Sequence, residues 1–259
     1  MSAPLLTPEI RDGMYARKQL QSGAKLVAWS HGRRFQVALE MGAGAGGQRV
    51  LDYGCGDGSF LAMLLHSGVT PLEAVGAEIA QDLVEDCTRR LSATGIRFVA
   101  VSDLDQRPSG SFDMIFCMEV LEHVTDVDAI LSRLDYLLAP GGQLIISVPV
   151  ETGVPLVVKQ IARRIAGWRG IGDYPGTESY RPAEWLPSLL AGSRQHISRK
   201  LHANPDGSAF HDHKGFNWMA LRERVQTRFA LRRVLSSPFT SLPPHFGTQA
   251  WFVATKRDS

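Results

Sequence analysis

Cysteine is scarce in this chain of 259 residues, and long apolar runs are missing from it. The three cysteines, Cys55, Cys87 and Cys117, are odd in number and show no CxxC spacing, which argues against a disulfide framework or a thiolate zinc site. No apolar run approaches the roughly 18 residues of a membrane span, and the opening MSAPLLTPEIRD lacks the charged and apolar regions of a secretory signal. We therefore expect reduced, buried thiols in a cytoplasmic protein.

Charged residues are also few, at 21% of the chain, with a net charge of only +2. That balance is too small to indicate a nucleic-acid partner by itself. The charge is unevenly divided, since residues 1–150 carry 12 basic and 18 acidic residues and residues 151–259 carry 16 and 8. The basic second part fits either an anionic substrate or the solvated surface of a helical region. The composition excludes collagenous, coiled-coil and disordered classes.

Between residues 49 and 149, short apolar or β-branched runs alternate with longer stretches of helical period, which is typical of βαβ units on a parallel sheet. The predicted strands are Arg49–Tyr53, Ala74–Glu78, Arg97–Val101, Phe112–Met118 and Gln143–Val148. The predicted helices are Ser59–His66, Gln81–Thr94 and Val127–Leu138, the last one followed by the stop signal Pro140-Gly141-Gly142. Later come a helix at Trp218–Thr227 and two strands at Ala230–Leu235 and Gln249–Thr255. A short turn joins these two strands, so the fold is α/β with an antiparallel C-terminal pair closing a mixed sheet.

Two segments fall outside this pattern. Residues 9–41 read as helical, with an apolar stripe of Met14, Leu20, Leu26, Val27, Phe35 and Leu39, and we expect them over the ligand edge of the sheet. Residues 151–216 contain an amphipathic helix at Val154–Ala166 and then the aromatic residues Trp168, Tyr174, Tyr180 and Trp185. A long irregular insertion in a compact domain is usually a lid or a binding loop, although these aromatics also suit packing in a small core.

The run VLDYGCGDG at residues 50–58 is an apolar strand that enters three glycines at alternate positions. Glycines let the backbone turn sharply and approach a ligand where a Cβ would collide. The spacing is G-x-G-x-G rather than the G-x-G-x-x-G of dinucleotide folds, and Asp52 precedes it. Glu78 closes the second strand, where a carboxylate can accept both hydroxyls of a ribose, and Asp103 follows the third. Because ligands of open α/β sheets bind at this edge, the three acids and the turn predict a nucleoside site.

The segments VLDYGCGDGSF, VGAEI, SDLDQRP, FDMIFCMEVLEHV and LLAPGGQLIISVP resemble those of class I S-adenosylmethionine-dependent methyltransferases. The resemblance covers residues 49–150 and the final strand pair. It implies a Rossmann-like seven-stranded mixed sheet with helices on both faces, and S-adenosylmethionine as cofactor. The domain would be residues 49–259, with residues 1–48 as a helical cover and residues 151–216 as an insertion. The cover would include Tyr15 and the stretch from Ser30 to Phe35.

Carried over by position, the resemblance also implies roles for single residues. Gly54 and Gly56 would pass under the methionine part of the cofactor, Glu78 would hold the ribose, and Glu119 would lie near the reactive end. The implied cofactor-binding residues are Asp52, Gly54, Cys55, Gly56, Glu78, Ile79, Asp103, Leu104 and Glu119, with Asp103 and Leu104 bordering the adenine.

Methyl transfer to a hydroxyl needs a group that removes its proton. Glu119, Glu122 and His123 fall where the fourth strand gives way to a helix, and either His123 or His213 could serve as this base. His123 is equally a candidate for a hydrogen-bonded residue at the start of that helix. The catalytic candidates are therefore His123, His213 and Glu119.

The Glu-x-x-Glu-His spacing, together with HDHKGFNW at residues 211–218, is similar to the metal site of small-RNA 3′-end 2′-O-methyltransferases. Ubiquinone-pathway O-methyltransferases share the Glu-x-x-Glu-His run. The resemblance implies that Glu119, Glu122, His123 and His213 hold a divalent ion, Mg²⁺ or Mn²⁺, which acts as a Lewis acid on a hydroxyl. Gly215 and Asn217 depart from the RNA pattern, and the sequence has neither an RNA-binding domain nor a strong basic patch.

We therefore expect an enzyme that methylates a hydroxyl of a small molecule, a sugar or a lipid-linked precursor. The first alternative is ribose 2′-O-methylation of RNA, so a nucleic-acid partner is disfavoured but not excluded. The second is a non-catalytic protein that binds the cofactor and uses the fold for interaction. Neither the methyl acceptor nor the oligomeric state follows from the sequence.

Overall fold

The computed structural model of the protein describes residues 6–23, 25–153, 156, 191–195, 199–203 and 209–257. Seven strands of the described chain form one mixed sheet in the order β3-β2-β1-β4-β5-β9-β8. These strands are β1 (Arg49–Tyr53), β2 (Glu73–Glu78), β3 (Arg97–Ala100), β4 (Phe112–Met118), β5 (Leu138–Pro149), β8 (Phe229–Ser237) and β9 (Gln249–Lys256). Two three-residue strands, β6 (Leu201–Ala203) and β7 (Ala209–His211), form a separate antiparallel pair.

The direction of the strands confirms the predicted fold class. Strands β1 to β5 pair in parallel, as the helical crossovers between them require. Strand β9 is antiparallel to both β5 and β8, so the C-terminal pair closes one side of the sheet. Strands β2 and β4 lie on opposite sides of β1, and this reversal of strand order opens a crevice at the carboxyl ends of β1 and β4.

Helices cover both faces of the sheet because neighbouring residues of a strand point to opposite faces. On one face, Val50 and Phe116 join a core with residues of α2 (Lys25–Gly42), α3 (Ser59–His66) and α4 (Gln81–Arg90). On the other face, Leu51 and Cys117 pack with residues of α5 (Val127–Leu137) and α6 (Trp218–Arg228). Helix α1 (Pro8–Arg11) and a π-helical turn at Ala16–Leu20 precede α2. All three cysteines are buried free thiols.

Several element boundaries differ from the predicted ones. The chain passes straight from α5 into β5 at Leu138, so Pro140-Gly141-Gly142 lies within the strand rather than before it. Gly141 takes a φ of 71°, and the pairing of β4 with β5 shifts register between Phe112 and Met114, which together absorb the irregularity. The predicted helix at 81–94 ends at Arg90 and continues as a 3₁₀ turn at Ser92–Thr94.

The flanking segments agree with the sequence only in part. The N-terminal region is helical as predicted, but Met14 of the expected apolar stripe is 46% exposed, because the chain bends between α1 and the π-helical turn. Phe35 is buried, and Leu20 and Leu39 pack against the core. The predicted helix at Val154–Ala166, apart from Leu156, and the aromatic residues Trp168 to Trp185 lie outside the described residues. In the part of the chain that is described, no helix is long and apolar enough to span a membrane.

Candidate active site

A cleft of about 630 Å³ opens at the carboxyl edge of the sheet, beside the ends of β1 and β4, where the strand order reverses. Its wall combines the turn after β1, the end of β2, the end of β4 and the helices that precede β1. Five of the sequence-predicted cofactor residues form one side of it, namely Asp52, Gly54, Cys55, Gly56 and Glu78. Ile79 and Glu119 line it as well, so the fold brings seven of the nine together.

The glycines after β1 pack so closely against neighbouring side chains that a Cβ would collide with them. Gly54 has a φ of 76°, and a Cβ at this position would lie 2.4 Å from Val120 Cγ2. Gly56 has a φ of 55°, and a Cβ there would lie 3.0 Å from the ring of Tyr15. Glu78 fixes the turn, since its Oε2 accepts the Gly56 amide at 2.8 Å and its Oε1 accepts the Ile79 amide at 2.7 Å. The turn thus presents backbone directly to the cleft.

Asp52 lies under this turn and is 2% exposed. Among the described residues its Oδ1 has no hydrogen-bond partner. Burial raises the pKa of Asp52 to about 8, and the nearby carboxylates of Glu78 and Asp57 contribute in the same direction. The side chain is therefore a buried proton carrier at the floor of the cleft at neutral pH.

We expect Asp52→Asn to flatten the pH dependence of stability. Because the pKa of Asp52 is raised in the folded state, the folded chain keeps a proton that the unfolded chain loses above about pH 4. The free energy of unfolding should then fall as pH rises towards 8, by at most about 1.4 kcal/mol per pH unit for one proton. Urea denaturation across this interval measures the slope, with the exposed Asp82→Asn as the control. Equal slopes in the wild type and Asp52→Asn would contradict the expectation.

Asp103 and Leu104 are not among the described residues that line the cleft. The Asp103 side chain is exposed and turns back to accept the Ala100 amide at 3.2 Å, because it caps the 3₁₀ turn at Val101–Gln106. Leu104 is 1% exposed and packs in the core. The cleft wall after β3 is instead formed by Val101. The order of residues after a strand does not reveal which one a tight turn directs inward.

The helices before β1 supply cleft residues, among them Tyr15 and Arg34 of the expected cover and Gln19, which the sequence analysis did not name. Tyr15 and Gln19 line the cleft, and Arg34 of α2 reaches into it with a side chain that is 12% exposed. Arg34 Nη2 donates to Gln19 Oε1 at 2.7 Å, and its Nη1 lies 3.3 Å from Glu119 Oε2. Only the pairing of α2 with the end of β4 reveals this role of Arg34.

Glu119 is held in place from two sides. Its Oε1 accepts the Ser147 hydroxyl at 3.0 Å, while its other oxygen faces Arg34. Its φ of 57° lies in the left-handed region, which a residue with a side chain adopts at a cost. This backbone turn at the end of β4 directs the carboxylate to Arg34 and the cleft rather than to the later acid of the Glu-x-x-Glu-His run.

Asp57 ties the N-terminal segment to the glycine turn. The side chain is buried, and its Oδ2 accepts the Ala16 amide at 2.9 Å. Arg90 of α4 joins the same parts, since its guanidinium donates to the carbonyls of Glu9 and Asp57. The segment that carries Tyr15 and Gln19 is thus fixed on the rim of the cleft.

Glu122, His123 and His213 form the second half of the candidate site. One ligand atom from each lies within 4.8 Å of the others. Glu122 Oε1 is 3.7 Å from His213 Nδ1 and 3.9 Å from His123 Nε2, distances too long for direct hydrogen bonds. Glu119, the fourth predicted ligand, is not part of this group because its carboxylate is engaged by Arg34 and Ser147.

Glu122 and His123 are oriented by their surroundings. Glu122 is fully buried, and among the described residues neither of its carboxylate oxygens has a hydrogen-bond partner. Burial raises the pKa of Glu122 well above its usual range, and Glu119 adds to the effect. His123 Nδ1 donates to the His211 carbonyl at 2.8 Å, which leaves the lone pair of Nε2 on the side of Glu122. Arg199 donates to the carbonyls of Glu122 and Asp212 and so holds the two chain segments together.

Comparison with known proteins identifies the family of the chain. A methyltransferase domain family matches residues 24–193, which is more than half of the chain. A ubiquinone biosynthesis O-methyltransferase of Xanthomonas axonopodis pv. citri (strain 306) is 33% identical over 148 residues, covering 54% of this chain and 61% of that relative. The corresponding protein of Xylella fastidiosa (strain 9a5c) is 32% identical over 148 residues, covering 54% and 59%. The chain thus spans about three fifths of the length of these curated relatives.

Solved structures share the fold at low identity. A crystal structure of a protein from Pyrococcus horikoshii OT3 has a TM-score of 0.57 at 12% identity, covering 97% of this chain and 100% of that chain. Magnesium protoporphyrin IX methyltransferase (ChlM) from Synechocystis PCC 6803, with bound SAH, has a TM-score of 0.54 at 20% identity, covering 90% and 86%. The chain belongs to the class I S-adenosylmethionine-dependent methyltransferases, a family of enzymes.

Proposed function

We propose that the protein transfers the methyl group of S-adenosylmethionine to a hydroxyl of a small molecule, a sugar or a lipid-linked precursor. The observation that carries this proposal is the position of Glu122, His123 and His213 beside the cofactor cleft, where His123 contributes to both. The names of the curated relatives support oxygen as the acceptor atom.

The cleft residues fit the parts of S-adenosylmethionine. The glycine turn lines the cleft, and Glu78 beside it is a carboxylate acceptor for ribose hydroxyls. Arg34 is a basic side chain in the cleft close to Glu119, and we assign it to the carboxylate of the amino-acid part. The helices of residues 1–48 act in this proposal as a cover over the methionine end, as Tyr15 against Gly56 suggests.

For methyl transfer, the protein must mainly align the acceptor hydroxyl with the methyl group and remove the proton of that hydroxyl. S-adenosylmethionine supplies a methyl group on a cationic sulfur, and its transfer to a hydroxyl oxygen leaves a neutral thioether and one proton to be removed. The hydrogen bond from His123 Nδ1 to the His211 carbonyl fixes the tautomer whose Nε2 can take that proton. His213 faces the same space, 4.6 Å from His123 between ring centroids.

As the alternative to a histidine base, we propose that a divalent cation, Mg²⁺ or Mn²⁺, occupies the space between Glu122, His123 and His213. The unpartnered oxygens of Glu122 and the second-sphere hydrogen bond of His123 fit such an ion. When bound, the ion would act as a Lewis acid that favours the ionised form of the acceptor hydroxyl. Glu119 is then a residue of the cofactor side rather than a metal ligand.

Calorimetric titration with S-adenosylmethionine and SAH tests the donor half of the proposal. We expect saturable binding of both, and no binding at millimolar concentration would end the proposal. A labelled-methyl assay with hydroxyl acceptors, amine acceptors and RNA fragments then tests the acceptor half. Label on the hydroxyl compounds supports it, whereas label on a ribose of RNA with strongly salt-dependent affinity would replace it with RNA methylation.

A further inference from the structure

Of the ten exposed large apolar side chains in the described part of the chain, three lie in the turn between β8 and β9, and a fourth, on α2, contacts one of them. We call these residues the aromatic rim: Trp29, Phe239, Leu242 and Phe246. They are 45%, 54%, 43% and 62% exposed, and the rings of Trp29 and Phe239 have centroids 6.0 Å apart. Exposed apolar side chains that gather in this way mark an interaction site more often than isolated ones do.

The aromatic rim lies at the edge of the sheet that carries the cleft. The turn between β8 and β9 holds three of its members, and Gln249 at the start of β9 pairs with Pro149 at the carboxyl end of β5. Helix α2 supplies Trp29 and connects the rim to the cleft. Arg33 of this helix donates to the Pro238 carbonyl of the turn, while the adjacent Arg34 reaches Glu119. A partner that binds the aromatic rim would therefore lie beside the mouth of the cleft.

The backbone of the turn between β8 and β9 has few polar groups that need water as a hydrogen-bond partner. Pro238, Pro243 and Pro244 have no N–H group to satisfy. Six carbonyls of the turn accept hydrogen bonds within the protein, namely those of Ser237, Pro238, Phe239, Leu242, Pro243 and Pro244. Irregular backbone is costly in hydrocarbon unless its polar groups are satisfied internally, and this turn meets part of that condition.

Basic residues lie along the segments that carry the aromatic rim. Residues 233–250 contain Arg233 and no acidic residue. Lys25 and Arg33 add positive charge on α2, whose acid Glu40 lies about 16 Å along the helix from Trp29. Aromatic and leucine side chains beside basic residues match the interface of an anionic bilayer, where the rings enter the boundary and the cations face the headgroups.

We propose that the aromatic rim inserts into the interfacial layer of an anionic lipid bilayer and places the cleft mouth against it. An acceptor held in that layer would then reach the cleft without passing through water. This last consequence rests on the proposed function, whereas the lipid contact does not.

The experiment measures sedimentation of the full chain with vesicles of phosphatidylcholine alone or with an equal part of phosphatidylglycerol. We expect the wild type to pellet with the anionic vesicles, less so at high salt. Phe239→Ser with Phe246→Ser should weaken this binding by about tenfold or more. The matched control is Leu72→Ser, which removes a side chain that is 75% exposed just before β2, at the opposite edge of the sheet. Phe239→Leu with Phe246→Leu should retain binding.

Three results would overturn the proposal: a wild type that stays in solution, a double serine variant that pellets like the wild type, or equal loss in Leu72→Ser. A further result would assign the aromatic rim to contact between two copies of the chain. In that case the wild type would form dimers and not bind vesicles, and the double serine variant would be monomeric. Donor titration of each variant separates this test from the proposed function. If the wild type binds the donor but not the vesicles, only the proposed lipid contact is rejected. If the wild type does not bind the donor, only the proposed methyl transfer is rejected.

Discussion

Glu78→Ala should raise the dissociation constant for S-adenosylmethionine by about 10²-fold or more, because two hydrogen bonds to a charged group are worth about 3 kcal/mol or more. The substitution also removes the acceptor that fixes the Gly56 amide, so the glycine turn loses its clamp. Glu78→Gln keeps an oxygen for that amide, so its dissociation constant should lie between those of the wild type and Glu78→Ala. Calorimetric titration with S-adenosylmethionine and SAH gives the dissociation constants.

Glu85→Ala is the matched control, since Glu85 is an exposed acid on α4. An analogue of SAH without ribose hydroxyls sharpens the test. It should bind the wild type weakly and should lose little further affinity in Glu78→Ala. If Glu78→Ala bound S-adenosylmethionine like the wild type, the ribose would lie elsewhere and the assignment of this side of the cleft would be wrong.

His213→Ala should lower methyl transfer by about 10²- to 10⁴-fold while leaving donor affinity unchanged. His213 faces Glu122 at 3.7 Å but does not line the cofactor cleft among the residues that the structure describes there. Glu122→Gln should have a similar effect if the cluster binds a cation, because an amide is a weaker ligand than a carboxylate. His66→Ala, at an exposed position near the end of α3, is the control.

Mn²⁺ binding distinguishes the two proposed roles of Glu122, His123 and His213, which are a cation site and a histidine base. With a bound cation, paramagnetic resonance should detect Mn²⁺ binding in the wild type and lose it in His213→Ala, and a chelator should abolish turnover. With His123 or His213 as a simple base, turnover should survive the chelator. Wild-type turnover in both His123→Ala and His213→Ala would remove the cluster from the mechanism altogether.

The parts of the fold that the sequence predicts well are those set by local pattern. Strands β1 and β4 have the predicted bounds, since each is a short buried run between turn signals. Strand β5 begins five residues early, because a proline and two glycines can continue an irregular strand when a neighbour offers pairing. The pair β6 and β7 was not predicted, since three residues are too few for a period to show.

The sequence alone determined that the acids Asp52 and Glu78 and the glycine turn meet at one edge, because the carboxyl ends of parallel strands share a side of the sheet. Tertiary structure decided where the other side chains point. It brings His213 to Glu122 across 91 positions, pairs Glu119 with Arg34, and turns Asp103 back onto its own backbone. The positions of the strands along the chain follow from local periodicity, whereas these directions depend on contacts between distant segments, which no local pattern encodes.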